Sequence, residues 1–236
     1  MHPKIKFKIN TSKDVSTFFN FLEERKYDDG RNFEWAVIKY HPYFNSFKND
    51  SDFLVTKKEV KQYVSRYYLK NKEQIKKNFL IFENNWQIKE KYFFELVKKI
   101  FPNTKWPKGK YIAYSTIWGM YPRFLENKTF QIPGIVKNKK AVSLIVAHEL
   151  LHFIFFTYFL DKYKKYKSHK YDFFVWHVSE IFNSIILHQT EWIKLLESEN
   201  QDYPEHEKII SKLSKYEITP LSLIDKIIFE VENSKL

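Results

Sequence analysis

The sequence predicts an α+β fold, predominantly helical, with a small and mostly antiparallel sheet. Three observations lead there. Long stretches carry apolar residues at helical spacing, as in Val15, Phe18, Phe19 and Leu22, or Val60, Tyr63, Val64, Tyr67 and Tyr68. Two stretches, Lys110 to Tyr121 and Lys128 to Ile132, are instead rich in Tyr, Ile, Thr, Trp and Phe, and Pro122 to Asn127 separate them; they read as a hairpin-like pair of strands. Gly is scarce at 4 residues, which argues against nucleotide-binding folds built on Gly-rich turns. A length of 236 residues is ample for a buried core and fits one large domain or two small ones; a single domain is the expectation. That domain divides into a mainly helical region (1–104), a core (105–193) and C-terminal helices (194–236).

In chain order, Lys4 to Asn10 alternates Lys with apolar residues and reads as an edge strand. Thr11-Ser12 or Asp14 caps a helix running to about Lys26. Asp28-Asp29-Gly30 reads as a turn. The run from Phe33 to Tyr40 reads as a strand stopped by His41-Pro42, and Asn49-Asp50-Ser51 as a further loop. Helices follow from about Thr56 to Asn84 and from Asn85 to Ile100, and Pro102 and Pro107 bracket a linker. After the strand pair, Pro133-Gly134 stops the second strand and Asn138-Lys139-Lys140 leads into an apolar helix. A basic loop covers Asp161 to His169, and a second apolar helix runs from Tyr171 to about Ile193. Glu197 to Pro204 is a polar break. Helices of about Glu205 to Lys215 and Pro220 to Asn233 finish the chain.

The formal net charge is +12. Such a balance suits a nucleic-acid or acidic-membrane partner, but the lysines are spread along the whole chain and mostly alternate with apolar residues. Only Asp161 to Lys170, with Tyr163, Tyr166 and Tyr171 at its margin, resembles a surface that stacks bases and holds phosphate; a basic loop joining two buried helices explains it better. Cys is absent, so disulfides and thiolate metal sites are excluded and His, Asp and Glu remain as ligand types. Met1 to Asn10 has no apolar signal core, which makes a cytoplasmic location the default expectation. Ala141 to Leu160 is long enough to span a bilayer, but it carries His148, Glu149 and His152 near its centre and has no companion span. A buried helix is the expectation there, not a membrane span.

Within that helix His148-Glu149-Leu150-Leu151-His152 spells HExxH. Residues turn about 100° each on a helix, so the two imidazoles fall within about 40° of one another. Two neutral imidazoles at that spacing are half of a zinc site, and Glu149 projects beside the metal where it can take a proton from a zinc-bound water. Ionisable groups in so apolar a run are costly unless they are paired or bind metal.

A third ligand is needed, and the next helix offers one. Its sequence from Asp172 to His188 is largely apolar except for His177, Glu180, Ser184 and His188, which share one stripe. The stripe is either the exposed strip of a mostly buried helix or a metal-facing strip with Glu180 as ligand. With HExxH one helix upstream, the second reading is preferred. Asp161, His177 and His188 are fallback ligands.

HExxH followed some 28 residues later by a helical Glu resembles the gluzincin clan of zinc metallopeptidases, in its thermolysin-like and minimal forms. The likeness covers roughly residues 105 to 190. It implies a zincin-like fold, in which the sheet is twisted and packs on the motif helix, with 105–193 as the metallopeptidase core. It also implies Zn2+ held by His148, His152 and Glu180, and Glu149 as general base. The chain departs from the thermolysin-like pattern: Ser179, not Asn, precedes Glu180, and Ser184, not Asp, stands four residues after it. Asn183 or Ser184 is left to supply a weaker supporting hydrogen bond. The Gly and third His of metzincins are absent, since Phe153-Ile154-Phe155-Phe156 follows the motif.

The expected activity is hydrolysis of peptide bonds in a peptide or protein substrate. His177 is the first candidate to steady the oxyanion, ahead of Tyr158, Tyr171 and His188, and the substrate is expected to add as a strand along Thr129 to Ile132. The alternatives are a structural zinc site with no open position, or a non-catalytic zincin-fold binding or regulatory protein that contacts nucleic acid through its basic surface. Oligomeric state has no signal in the sequence.

Overall fold

The structure is a computed structural model that describes residues 2–24, 33–48, 53–215 and 219–234; the expected turn at Asp28-Gly30 and loop at Asn49-Ser51 lie outside the described residues. The fold is mostly helical with a mixed four-stranded sheet. The chain divides into two compact units. One is Lys4–Glu83 with Lys110–Lys139. The other is Asn84–Gly109 with Lys140–Leu236 and the first three residues.

The first unit holds the sheet. Strands β1 (Ile5–Lys8), β2 (Tyr111–Thr116), β3 (Arg123–Phe124) and β4 (Thr129–Pro133) lie in the order β1-β2-β4-β3. The β1 strand is an edge, as its Lys-apolar alternation predicts; Ile5 is buried while Lys6 and Lys8 are exposed. The expected antiparallel hairpin is not formed. β2 pairs parallel with both β1 and β4, in the register Ile112↔Thr129 and Ser115↔Ile132, and only β3 with β4 is antiparallel. The reversal falls between β3 and β4, where Lys128 takes a left-handed φ of 53°. The segment before it crosses over so that β4 lies beside β2 in the same direction, a pairing that requires a long connection. β4 therefore sits between β2 and β3, and Gln131 N–H donates to Pro122 O. Thr129 to Ile132 is thus not a free edge for an added strand.

The run from Phe33 to Tyr40 is not a strand. Glu34–Ile38 forms a π-helical turn, followed by a 3-10 segment at Pro42–Phe47. Aromatic and β-branched composition favours a strand here, but Phe33, Ala36 and Val37 are the buried residues, and steps of three and one belong to a helical turn. Ala36 O accepts from Gly119 N–H at 2.9 Å, and a Cβ on Gly119 would meet the exposed Tyr40 ring at 3.0 Å, so a larger residue there makes that ring shift by a few tenths of an ångström.

Helix α1 (Thr11–Glu24) is capped by neither Thr11 nor Asp14. Asn10 Oδ1 accepts from Ser12 N–H and Ser12 Oγ–H. Asp14 is buried instead, where Tyr68 Oη–H, Gln131 Nε2–H and Ile117 N–H donate to its carboxylate. Helix α2 (Lys57–Lys70) begins at a capping box: Glu59 N–H donates to Thr56 Oγ1, and Thr56 N–H donates to the Glu59 carboxylate. Helix α3 (Lys72–Ile100) then runs without the break expected at Asn84; the break falls at Asn71, whose N–H and Nδ2–H both donate to Tyr67 O. From Asn84 onward α3 belongs to the second unit.

The second unit is helical: α4 (Ala141–Lys162), α5 (Asp172–Leu187), α6 (Thr190–Leu196), α7 (Glu207–Leu213) and α8 (Pro220–Glu232). The apolar helix expected to reach Ile193 stops at Leu187, and α6 is separate. Helix α5 packs against α4, α6, α7 and α8. Helix α4 is long and apolar enough to cross a membrane by length and composition, and 72% of its apolar window is buried within the fold. The basic loop is two 3-10 turns, Lys164–Lys167 and His169–Tyr171. Its Tyr163 and Tyr166 hydroxyls donate to Asp225 and Glu232 of α8, and Lys162 and Lys165 pair with the same two carboxylates. Two of the three rings offered as a stacking surface, Tyr163 and Tyr166, are thus fastened to a neighbouring helix.

Candidate metal centre

Helices α4 and α5 pack side by side, and this contact brings HExxH to Glu180. The apolar faces of both helices drive the packing: Leu151, Phe155, Phe182 and Ile186 are all buried. Asn183 Nδ2–H donates to His148 O at 3.2 Å and fixes the register of one helix on the other.

Three side chains converge through four atoms, the two histidines facing different oxygens of Glu180. His148 Nε2 and His152 Nε2 are 2.9 Å apart; His148 Nε2 is 3.1 Å from Glu180 Oε2, and His152 Nε2 is 3.3 Å from Glu180 Oε1. His152 and Glu180 are buried and His148 is partly exposed, so the group is open to one side. Atoms bound at about 2.05 Å to one tetrahedral ion stand about 3.3 Å from one another, and the three separations are close to that value. Lone pairs this near repel unless protons or a cation lie among them. One divalent cation satisfies all three at once, so the donor set fits a metal ion. Among the described residues it is the group of His, Cys, Asp and Glu close enough to do so.

The electrostatics agree. Burial by itself raises the pKa of Glu180, but His152 and His148 outweigh it and hold the carboxyl well below the usual carboxylate range. The Glu180 carboxyl is thus held in its ionised form by the two histidines. Glu149 is buried on α4, next to the first imidazole in sequence.

The other members of the α5 stripe have different partners. His177 Nδ1 lies 2.7 Å from His206 Nε2. Burial, and then His206, lower the His177 pKa, while Glu205 and Glu180 pull it upward. Ser184 Oγ accepts from Asn200 Nδ2–H. His188 Nε2 pairs with Asp202 at 3.0 Å. Asp161 is exposed at the end of α4. The fallback ligands Asp161, His177 and His188 therefore lie outside the converging group. The supporting bond expected from Asn183 reaches the backbone of His148 and not an imidazole.

Sequence reading did not find His206, Asn200 or Asp202. All three lie in the polar break or just beyond it, and no periodicity links a lone His to a partner 29 residues upstream. Nor did it find Asp14 as a buried carboxylate, because Asp near a helix start is read as a cap.

No protein-family model, curated protein or solved structure matches the chain.

Proposed function

We propose that the protein is a zinc-dependent peptidase of the gluzincin type. The convergence of His148 Nε2, His152 Nε2 and the Glu180 carboxylate carries this reading. Two imidazoles and one carboxylate, with no thiolate available, suit zinc and leave a fourth position for water. When bound, zinc supplies Lewis acidity that makes a water acidic near neutral pH and polarises a carbonyl.

The chain's own residues do the rest. His148, His152 and Glu180 hold the ion. Glu149 takes the proton of the attacking water and delivers it to the leaving amine. His177, one helical turn before Glu180, is the candidate donor to the oxygen on which charge develops. The partial exposure of His148 supports access to the site from solvent.

Replacing Glu149 tests the reading. Zinc-loaded Glu149→Gln should keep one zinc per chain and lose cleavage of an unstructured protein such as casein by at least about a hundredfold. Equal cleavage by variant and parent removes Glu149 from the reaction. A parent that binds zinc and cleaves nothing favours the structural or binding alternatives. In that case, steeply salt-dependent retention on DNA or RNA identifies the nucleic-acid reading.

A further inference from the structure

The His177–His206 pair lies outside the three-ligand group and is bound by different constraints. His177 is 4% exposed and His206 is fully buried. Their facing nitrogens are 2.7 Å apart, so one proton lies between the rings. The two outer nitrogens, His177 Nε2 and His206 Nδ1, are buried without a hydrogen-bond partner. Phe173, Trp176 and Tyr203 pack around the pair, with the Phe173 ring centroid 4.3 Å from that of His177 and Tyr203 5.5 Å from His206. These rings hold both imidazole planes in place. Both histidines also feel the charge of Glu180.

A neutral pair of this kind has two arrangements. In one, His206 Nε2–H donates to His177 Nδ1, and His177 carries its own proton on Nε2. In the other, His177 Nδ1–H donates to His206 Nε2, and His206 carries its proton on Nδ1. The first places both rings in the Nε2–H form, the intrinsically preferred tautomer of neutral histidine; the second places both in the less stable form. The first also leaves His177 Nε2–H as an unused donor on the stripe that carries Glu180. A buried donor without a partner costs about 1–3 kcal/mol, and such a group calls for a use.

We propose that His206 is a positioning residue for the hydrolysis: it donates from Nε2–H to His177 Nδ1 and so fixes His177 as an Nε2–H donor one helical turn from Glu180. This rests on the peptidase reading above. The donor has the neutral imidazole's fixed direction, set by the bond on the opposite nitrogen. Nothing on the substrate has to supply that orientation, so the loss of His206 should lower kcat and leave KM unchanged.

Two measurements test it together. Nitrogen-15 spectra of histidine-labelled parent protein, with and without zinc, should show His177 protonated at Nε2 and bare at Nδ1; a proton on Nδ1 overturns the proposal whatever the activity. His206→Phe keeps the ring shape and removes both nitrogens, whereas in His206→Gln a side-chain amide reaches the Nε2 position and can donate. The Phe variant should lose 10–100-fold in kcat with KM and zinc content unchanged, and the Gln variant should recover most of the loss. Equal losses in both variants, or parent-like kcat in His206→Phe, overturn it. If zinc-loaded parent cleaves no peptide at all, the peptidase reading falls and takes the catalytic role of the pair with it, while the spectrum still decides the tautomer.

Discussion

Asp14 combines complete burial with an ionisable group, and this ties its titration to folding. Burial lifts its pKa from 3.8 to about 7, although Thr116, Tyr68, the Ile117 amide and Gln131 all donate hydrogen bonds that act in the opposite direction. Between those two values the folded chain keeps a proton that the unfolded chain has released. Stability therefore falls as pH rises from about 4 to about 7, by an amount of order 4 kcal/mol, and is flat with respect to this group above pH 7. Urea unfolding at pH 5 and pH 7.5 checks this. The parent should lose stability between the two, and Asp14→Asn should be flat by comparison; equal slopes in both proteins assign the effect elsewhere. Glu180 is the opposite case, a buried carboxyl held well below its ordinary range by the charge and hydrogen bonds of His152 and His148, where Asp14 meets only neutral donors. That contrast explains what could be read at this scale. Glu180 stands out in the sequence as a charge in an apolar helix with HExxH upstream. Asp14 looks like an ordinary cap until the fold closes over it.

At the scale of elements, the helices were legible where spacing was used and misread where composition was. The motif helix follows from its run of apolar residues without Gly or Pro, and it extends from Ala141 to Lys162. The spacing marks Thr56 as the start of a helix, and the structure adds the capping box it makes with Glu59. The segment at Phe33 shows the opposite, since its aromatic and β-branched residues suggested a strand while its buried positions follow a helical turn. Strand pairing was the least legible feature, because the choice of β2 as the parallel neighbour of β4 depends on non-local packing that no local pattern encodes. Two predictions belong here. Thr56→Ala should destabilise the fold by about 1 kcal/mol in denaturant unfolding; no change would mean that α2 does not depend on its cap. Asn183→Leu removes the donor to His148 O that sets α4 against α5. It should cost about 1–3 kcal/mol and weaken zinc binding about tenfold, read by unfolding and by zinc titration. Parent-like zinc affinity in that variant would show that the bond does not set the ligand geometry.

For the whole molecule, the two compact units interleave in sequence: the strand segment 110–139 belongs with 4–83, and 84–109 belongs with the helices from 140 onward. Composition gives no hint of that exchange, since α3 passes through residue 84 as uninterrupted helix. The excess positive charge is likewise a property of the whole chain and not of one site. The lysines at 162 and 165 are tied to acidic partners on α8, so the basic loop has a local role in holding helices together. The candidate metal group draws on two helices of one unit and three residues spaced over 33 positions from His148 to Glu180. Calorimetric titration of Zn2+ into metal-free parent, Glu180→Ala and His188→Ala tests it most directly. The account predicts one tight site per chain in the parent and in His188→Ala, and loss of that site in Glu180→Ala. Absence of a stoichiometric site in the parent, or an unchanged site in Glu180→Ala, would contradict it.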